Sequence, residues 1–315
     1  MPSWTELLNT FAAQRTDVEK STWLAREFAA GIGRVSNLRD GRNVIIYGSA
    51  FLQKPTAPGI LLQITLEEIN GFMSVMHGMD WSKGLTLILH TPGGVTNATE
   101  TIVAYLRSKF SFIEVIVPTY AMSAGTMIAL SGDRIVMGRQ SQLGPIDPQI
   151  PSGQRLVSAL AILDQFDRAK KEITENRDLA HVWAPILPSL GPALLEEAQN
   201  AIDYSEKMVA EWLAEYQFVG RSDAINKAKS VAEYFSKGDP NVRKRSHGRR
   251  IDREEAKAQN LIVEDLEDSQ ELQEAVLTAY HLLTIIFEKS PALKILQSSV
   301  GKGWVKNLPT MPNPR

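Results

Sequence analysis

The chain contains no cysteine. That excludes disulfides, thiolate nucleophiles and cysteine-based zinc sites. Histidine is scarce too, with five in 315 residues, and none stands in a metal-ligand pattern such as H-E-x-x-H. No metal and no cofactor is expected. No G-x-x-x-x-G-K-[ST] phosphate loop is present, so any energy-using unfoldase would be a separate protein. No run approaches the roughly 20 apolar residues that span a bilayer. The most apolar late stretch, 276–286, includes Tyr280 and His281 and soon meets Glu288 and Lys289. The first residues, MPSWTELL, lack the basic and then apolar pattern of a secretory signal. The expectation is a soluble, cytoplasmic protein with no transmembrane segment. Neither sign of charge dominates: 34 Lys and Arg stand against 36 Asp and Glu. No global field points to nucleic acid or to an anionic membrane. One basic run, Arg243-Lys-Arg245 followed by Arg249-Arg250, lacks interleaved aromatics. It reads as a solvated loop or a grip on a peptide carboxylate.

What the chain does have is apolar residues, 43% of the total, enough to bury a core. Leu7, Leu8, Phe11 and Ala12, then Leu24, Phe28 and Ala29, recur at helical spacing. Residues 1–40 therefore read as a helical N-terminal arm suited to oligomerisation or to a lid. From Asn43 the texture changes. The stretches 43–47, 85–90, 112–117 and 134–137 are short, apolar and β-branched, as buried parallel strands are. Helices alternate with them: 65–76, with Thr65 as N-cap and Glu68 at the third position, then one from Asn97 or Thr99, then one from Ser123. This alternation predicts an α/β fold with a mainly parallel sheet. After Pro151 the pattern turns helical, with long helices at 156–175 and 192–216. A short helix at 252–260 ends on Asn260 as C-cap, and 261–263 reads as the last strand. The division expected is a catalytic domain over 41–270 with a helical insertion at about 151–236, and a C-terminal helix and tail over 271–315.

Two motifs carry chemistry. His90-Thr-Pro-Gly-Gly-Val95 ends a buried strand on two glycines, which tolerate positive φ and let backbone N–H groups approach a ligand. That suits an oxyanion hole at Gly93 and Gly94, though an ordinary strand-to-helix turn has the same composition. Tyr120-Ala-Met-Ser-Ala-Gly-Thr126 also follows a buried strand and opens a helix. Ser123, flanked by small residues, could attack a substrate. The N–H of Ala124, in the first helical turn, lacks an intrahelical partner and favours negative charge. Ser123 could equally be a plain N-cap. In a parallel sheet both turns emerge at the same edge, where α/β proteins place their sites.

HTPGG followed by AMSAGT resembles paired segments of Clp protease and signal-peptide peptidase A. AMSAGTMIALSGDRIVMG, then SQLGPIDPQ, then SHGR, resembles the serine dehydrogenase proteinase family more closely. The resemblance is dense from about residue 41 to 149 and returns from about 246 to 263. It implies a Clp/crotonase-type spiral of ββα units with additional helices, and homo-oligomers. It also implies Ser123 as nucleophile of a serine endopeptidase, with an oxyanion hole from Gly93 or Gly94 and Ala124.

The general base stays open at this point. In Clp protease a histidine and then an aspartate follow the serine, but the segment 141–148, SQLGPIDP, holds no histidine. Signal-peptide peptidase A uses a lysine instead, and Lys170 and Lys171 fall in the corresponding stretch. A lysine base needs burial or a nearby cation. His247, in a loop beside Gly248, is the third candidate, with Asp147 to orient it. Asp147 also suits a purely structural role between two prolines. Ser141 could be polar lining but is assigned no role, and His90 could contact substrate, although a satisfied histidine at a strand end is the favoured reading. The substrate expected is a peptide or protein. A partner unfoldase or membrane partner, a catalytically silent scaffold and a crotonase-like acyl-CoA enzyme are the alternatives carried forward.

Overall fold

The computed structural model describes residues 2–152, 155–186, 193–238 and 246–309. The basic run Arg243–Arg245, the residue Pro192 expected to open a helix, and the tail from 310 lie outside the described residues. The chain forms two compact units, Met1–Leu143 with Arg250–Arg315, and Gly144–Arg249.

The first unit begins with helices α1 (Trp4–Ala12) and α2 (Asp17–Leu38). Ser3 and Thr16 each close a capping box with a glutamate three residues on, which fixes where both helices start. Strand β1 (Asn43–Ser49) follows, then α3 (Gly59–Leu62) and α4 (Glu68–Met76), β2 (Leu85–His90), α5 (Thr96–Arg107) and β3 (Ile113–Val117). Next come β4 (Tyr120–Ala121), α6 (Ala124–Leu130), β5 (Arg134–Met137) and β6 (Gln142–Leu143). Strands β1, β2, β3 and β5 pair in parallel. All residues of β1, β2 and β3 are buried, which explains their unbroken apolar reading. At the start of these strands the buried Glu114 carboxylate meets Arg39, Arg42 and Arg134 at 3.0, 3.3 and 3.3 Å.

The second unit opens with a hairpin, β7 (Gln149–Ser152) against β8 (Arg155–Ser158). Residues 156–158, expected in a helix, are therefore strand. Leu156 and Val157 form a short apolar run that fits either period, and pairing of Ile150 with Val157 decides it. Among the described residues, the α-helices that follow are α7 (Ala159–Glu175), α8 (Ala180–Trp183), α9 (Leu194–Glu215) and α10 (Ala224–Lys237). Ala159, Ile162, Ala198 and Ile202 make a small core of their own.

The chain returns to the first unit with α11 (Arg253–Ala258), capped by the Asp252 carboxylate on Glu255 N–H. The helix ends two residues earlier than expected, with Gln259 as its C-cap, and Asn260 follows it in the left-handed conformation, φ 64°, that commonly terminates helices. Strand β9 (Val263–Asp265) joins the parallel sheet beside β5. It is not the last strand. After α12 (Gln270–Lys289) come β10 (Ala292–Ser298) and β11 (Gly303–Asn307), antiparallel, so the sheet runs β11-β10-β1-β2-β3-β5-β9. Sequence periodicity passed over β10 because Lys294 interrupts its apolar run. The core packs α12 and α2 on one face of the sheet, with Phe28, Ile32 and Val35 against Val44, Ile46, Leu282 and Leu283. Gly48 admits this packing: a Cβ there would lie 2.4 Å from Leu283 Cδ2.

Candidate active site

The two glycine-containing turns do meet. Thr91 bridges Ala121 in parallel, because β2 and β3 are neighbours and both chains continue past the same sheet edge. Thr91 N–H donates to Tyr120 O at 2.9 Å and Met122 N–H to Thr91 O at 3.1 Å. Beyond the serine, Gly125 N–H returns to Met122 O at 2.8 Å and Thr126 Oγ1 donates to Ala121 O at 2.7 Å.

Between these ties Ser123 sits at φ 51°, ψ −116°. A residue with a Cβ pays roughly 1–3 kcal/mol to hold such a backbone. An N-cap serine needs no such strain, since caps adopt extended backbone and accept a hydrogen bond from the first turn. Ser123 makes no side-chain cap bond. The plain N-cap alternative therefore fails, and the half-buried hydroxyl is presented at the head of α6.

Gly93 has φ 102°, and a Cβ there would stand 2.6 Å from Met122 O and 2.7 Å from Ser123 Cβ. Only glycine allows that approach. Its N–H, however, already donates to Thr91 Oγ1 at 3.1 Å. Gly94 is the more accessible of the pair, and a Cβ on it would meet Ile64 O at 2.2 Å. Among the described residues neither Gly94 N–H nor Ala124 N–H has a hydrogen-bond partner. Of the two glycines, the second is thus the one with a donor to offer.

His90 lies beneath this turn and is fully buried. Its ring stacks on Phe51 at 5.0 Å and meets Tyr280 edge-on at 5.0 Å, and Nδ1 pairs with Thr119 Oγ1 at 3.0 Å. Burial lowers its pKa from 6.5 to about 3, so it is a neutral packing residue at neutral pH. The unfolded chain takes up this proton near pH 6.5, the folded chain only near 3. Between those values the unfolded state binds more protons, so stability falls as pH drops through that window and no further below it. The slope is about 1.4 kcal/mol per pH unit. Urea unfolding at pH 7 and pH 5 is expected to show a smaller acid loss in His90→Phe than in the wild type. Equal losses would refute the assignment.

In the second unit, Asp147 is 6% exposed. Its Oδ1 lies 2.7 Å from His247 Nδ1, and its Oδ2 accepts from Gln149 Nε2 at 3.0 Å. Pairing of these two residues, a hundred positions apart, was an expectation from sequence. They line a cavity with Ser158, Asp164, Tyr234 and Arg249. A carboxylate only accepts, so Nδ1 is the donor and Nε2 of a neutral ring carries the free lone pair. The side chain of His247 is 31% exposed. Lys170 and Lys171 are both exposed on α7, and Lys171 Nζ is 4.0 Å from Glu175 Oε1. The burial that a lysine base needs is missing at both. Ser141, considered as site lining, is fully buried and accepts from Gly138 N–H at 2.9 Å, a structural bond. No group of His, Asp and Glu that could hold a metal occurs among the described residues. No described helix is long and apolar enough to cross a membrane.

Comparison with known proteins agrees with the motifs. The family model of ClpP-like SDH-type serine proteinases matches residues 58–238, which include both turns and Asp147 but not His247. The chain is 30% identical over 175 residues to Uncharacterized protein MJ1495 of Methanocaldococcus jannaschii, covering 56% of this chain and 52% of that one. It is 41% identical over 87 residues to Uncharacterized protein MJ0137 of the same organism, covering 28% and 30%. The matches thus span about half and under a third of those relatives. Among solved structures, a mutant of the 1510-N membrane-bound stomatin-specific protease is similar, with TM-score 0.39 and 19% identity over 68% of this chain and 79% of that one. A ClpP1 mutant from Listeria monocytogenes gives 0.38 and 14% over 76% and 98%. With more than half of its residues matched by the family model, the chain belongs to the ClpP-like SDH-type serine proteinase family.

Proposed function

We propose that the protein is a serine endopeptidase whose nucleophile is Ser123, with Gly94 and Ala124 N–H as oxyanion donors and His247, oriented by Asp147, as general base. The observation that carries this reading is the strained serine: φ 51° at a non-glycine residue, clamped by hydrogen bonds on both flanks. Strain of this kind is retained where a side chain must be held at a fixed spot. In the chain, Asp147 lies four residues after Leu143 and His247 four residues before Ile251, and Leu143 and Ile251 pair with each other. Leu143 also pairs with Ala121, two residues before the serine.

In the reaction, His247 Nε2 takes the hydroxyl proton as Ser123 Oγ bonds to the peptide carbonyl carbon. The carbonyl oxygen becomes an oxyanion facing two backbone donors. The C–N bond then breaks as the imidazolium returns the proton to the leaving amine. Water, deprotonated by the same nitrogen, hydrolyses the resulting ester and frees Ser123. Fluorophosphonate probes phosphonylate an activated serine: its oxygen bonds to phosphorus and fluoride leaves. One adduct per chain, mapped by peptide mass to Ser123, is the expected result. A folded protein that takes up no adduct would sink the reading and favour a silent scaffold.

A further inference from the structure

A fully buried charge pair of the first unit holds the segment that bonds to the proposed oxyanion turn. Glu68 is 0% and Lys294 1% exposed, and their charged ends are in direct contact. Neither is left with a single partner. Lys294 Nζ also donates to Gln63 O at 3.0 Å, and Glu68 Oε2 also accepts from Thr65 N–H and, at 2.8 Å, Thr65 Oγ1. The expectation of Thr65 as N-cap with Glu68 at the third helical position is corrected: α4 starts at Glu68, with Glu67 as N-cap and no side-chain cap bond, and the Glu68 carboxylate turns back onto Thr65 because Lys294 meets it from β10. Such a pair is costly to bury and adds little stability over a packed apolar pair. It does fix geometry.

What it fixes is the strap 62–65. Besides the bonds at Gln63 and Thr65, Leu62 O accepts from Ser49 Oγ at 2.6 Å. The middle residue, Ile64, gives both backbone groups to the oxyanion turn. Its N–H donates to Gly93 O at 2.8 Å, and its O accepts from Val95 N–H at 2.9 Å. Those two bonds flank Gly94, whose backbone lies so close to Ile64 that no side chain fits. A shift of Ile64 therefore shifts Gly94 N–H.

We infer that Glu68 and Lys294 are positioning residues for the oxyanion hole, acting through Ile64 on the Gly94 amide. The inference rests on Gly94 N–H being an oxyanion donor. Lys294→Met alone would strand a buried carboxylate and risk unfolding. The test is the double variant Glu68→Gln/Lys294→Met, which removes both charges and keeps an acceptor for Thr65 N–H, with Glu68→Gln alone as a second variant.

Losing one oxyanion donor costs about 10²–10³ in rate, so a displaced one is expected to slow fluorophosphonate labelling of Ser123 at least about tenfold. With a peptide ester, kcat is expected to fall by about the same factor while KM moves less than about twofold, the mark of a contact made in the transition state. Amide exchange of the 91–96 segment is expected to rise at least about tenfold, with that of β3 unchanged. A folded variant that labels at the wild-type rate with unchanged exchange at 91–96 overturns the inference. If the wild type itself does not label while exchange at the turn still rises in the variant, the coupling through Ile64 stands and it is the peptidase reading that fails.

Discussion

Ser123→Ala is expected to lower peptide hydrolysis by about 10⁴-fold or more, to the residual level that an oxyanion hole and binding supply without a nucleophile. The fold should not notice. Alanine keeps a Cβ, so the positive φ at 123 costs the same, and the hydroxyl that is lost makes no cap bond. Ser123→Gly separates function from strain. Glycine accepts this backbone freely, and after its own chain-entropy cost the variant is expected to be about 1 kcal/mol more stable than Ser123→Ala. Both variants should be equally inactive. Urea midpoints with a peptide-ester assay on the same preparations would decide. An alanine variant that retained turnover would remove Ser123 from the mechanism, and a glycine variant no more stable than alanine would mean that the backbone is not strained.

A backbone held against its own conformational cost is one reason why parts of this site were legible in sequence and others not. The glycines at 93 and 94 announce a turn by composition, and a parallel sheet carries that turn and the 120–126 turn to one edge. The assignment of donors could not be read the same way. Thr91 looks like any residue of the motif, yet its hydroxyl occupies the Gly93 N–H and leaves Gly94. The left-handed backbone of Asn260 was foreseeable because asparagine tolerates it. That of Ser123 was not, since it is imposed by hydrogen bonds from Thr91 and Gly125. Strand β10 was missed through Lys294, a charge that reads as surface in one dimension and is buried only because Glu68 meets it from α4. Lys170 and Lys171 had the right residue type, but exposure on α7 follows from helix phase and packing that their immediate neighbours do not reveal. Asp147 and His247 were legible as a candidate base and its orienting group from the chemical need of a serine nucleophile together with the family resemblance of SQLGPIDPQ and SHGR.

The role of that pair makes the second large prediction. With His247 as the proposed base, His247→Ala is expected to reduce kcat by about 10²–10⁴-fold, the usual worth of a general base, with little change in KM, since a base that takes the serine proton does not hold the bound peptide. Asp147→Asn is expected to act in the same direction by a different route. The amide can donate as well as accept, so the ring is no longer held with Nδ1–H toward residue 147 and Nε2 free. Since Asp147 is buried and also receives Gln149 Nε2 at 3.0 Å, asparagine keeps the shape of the site, and thermal unfolding should change far less than activity. The double variant then tells the two roles apart. If Asp147 works only by orienting His247, adding Asp147→Asn to His247→Ala costs nothing further, a non-additivity that independent structural damage would not produce. Lys170→Ala serves as the control, expected to leave kcat within about twofold because its side chain is solvated. Full activity in His247→Ala together with loss in Lys170→Ala would reverse the choice of base.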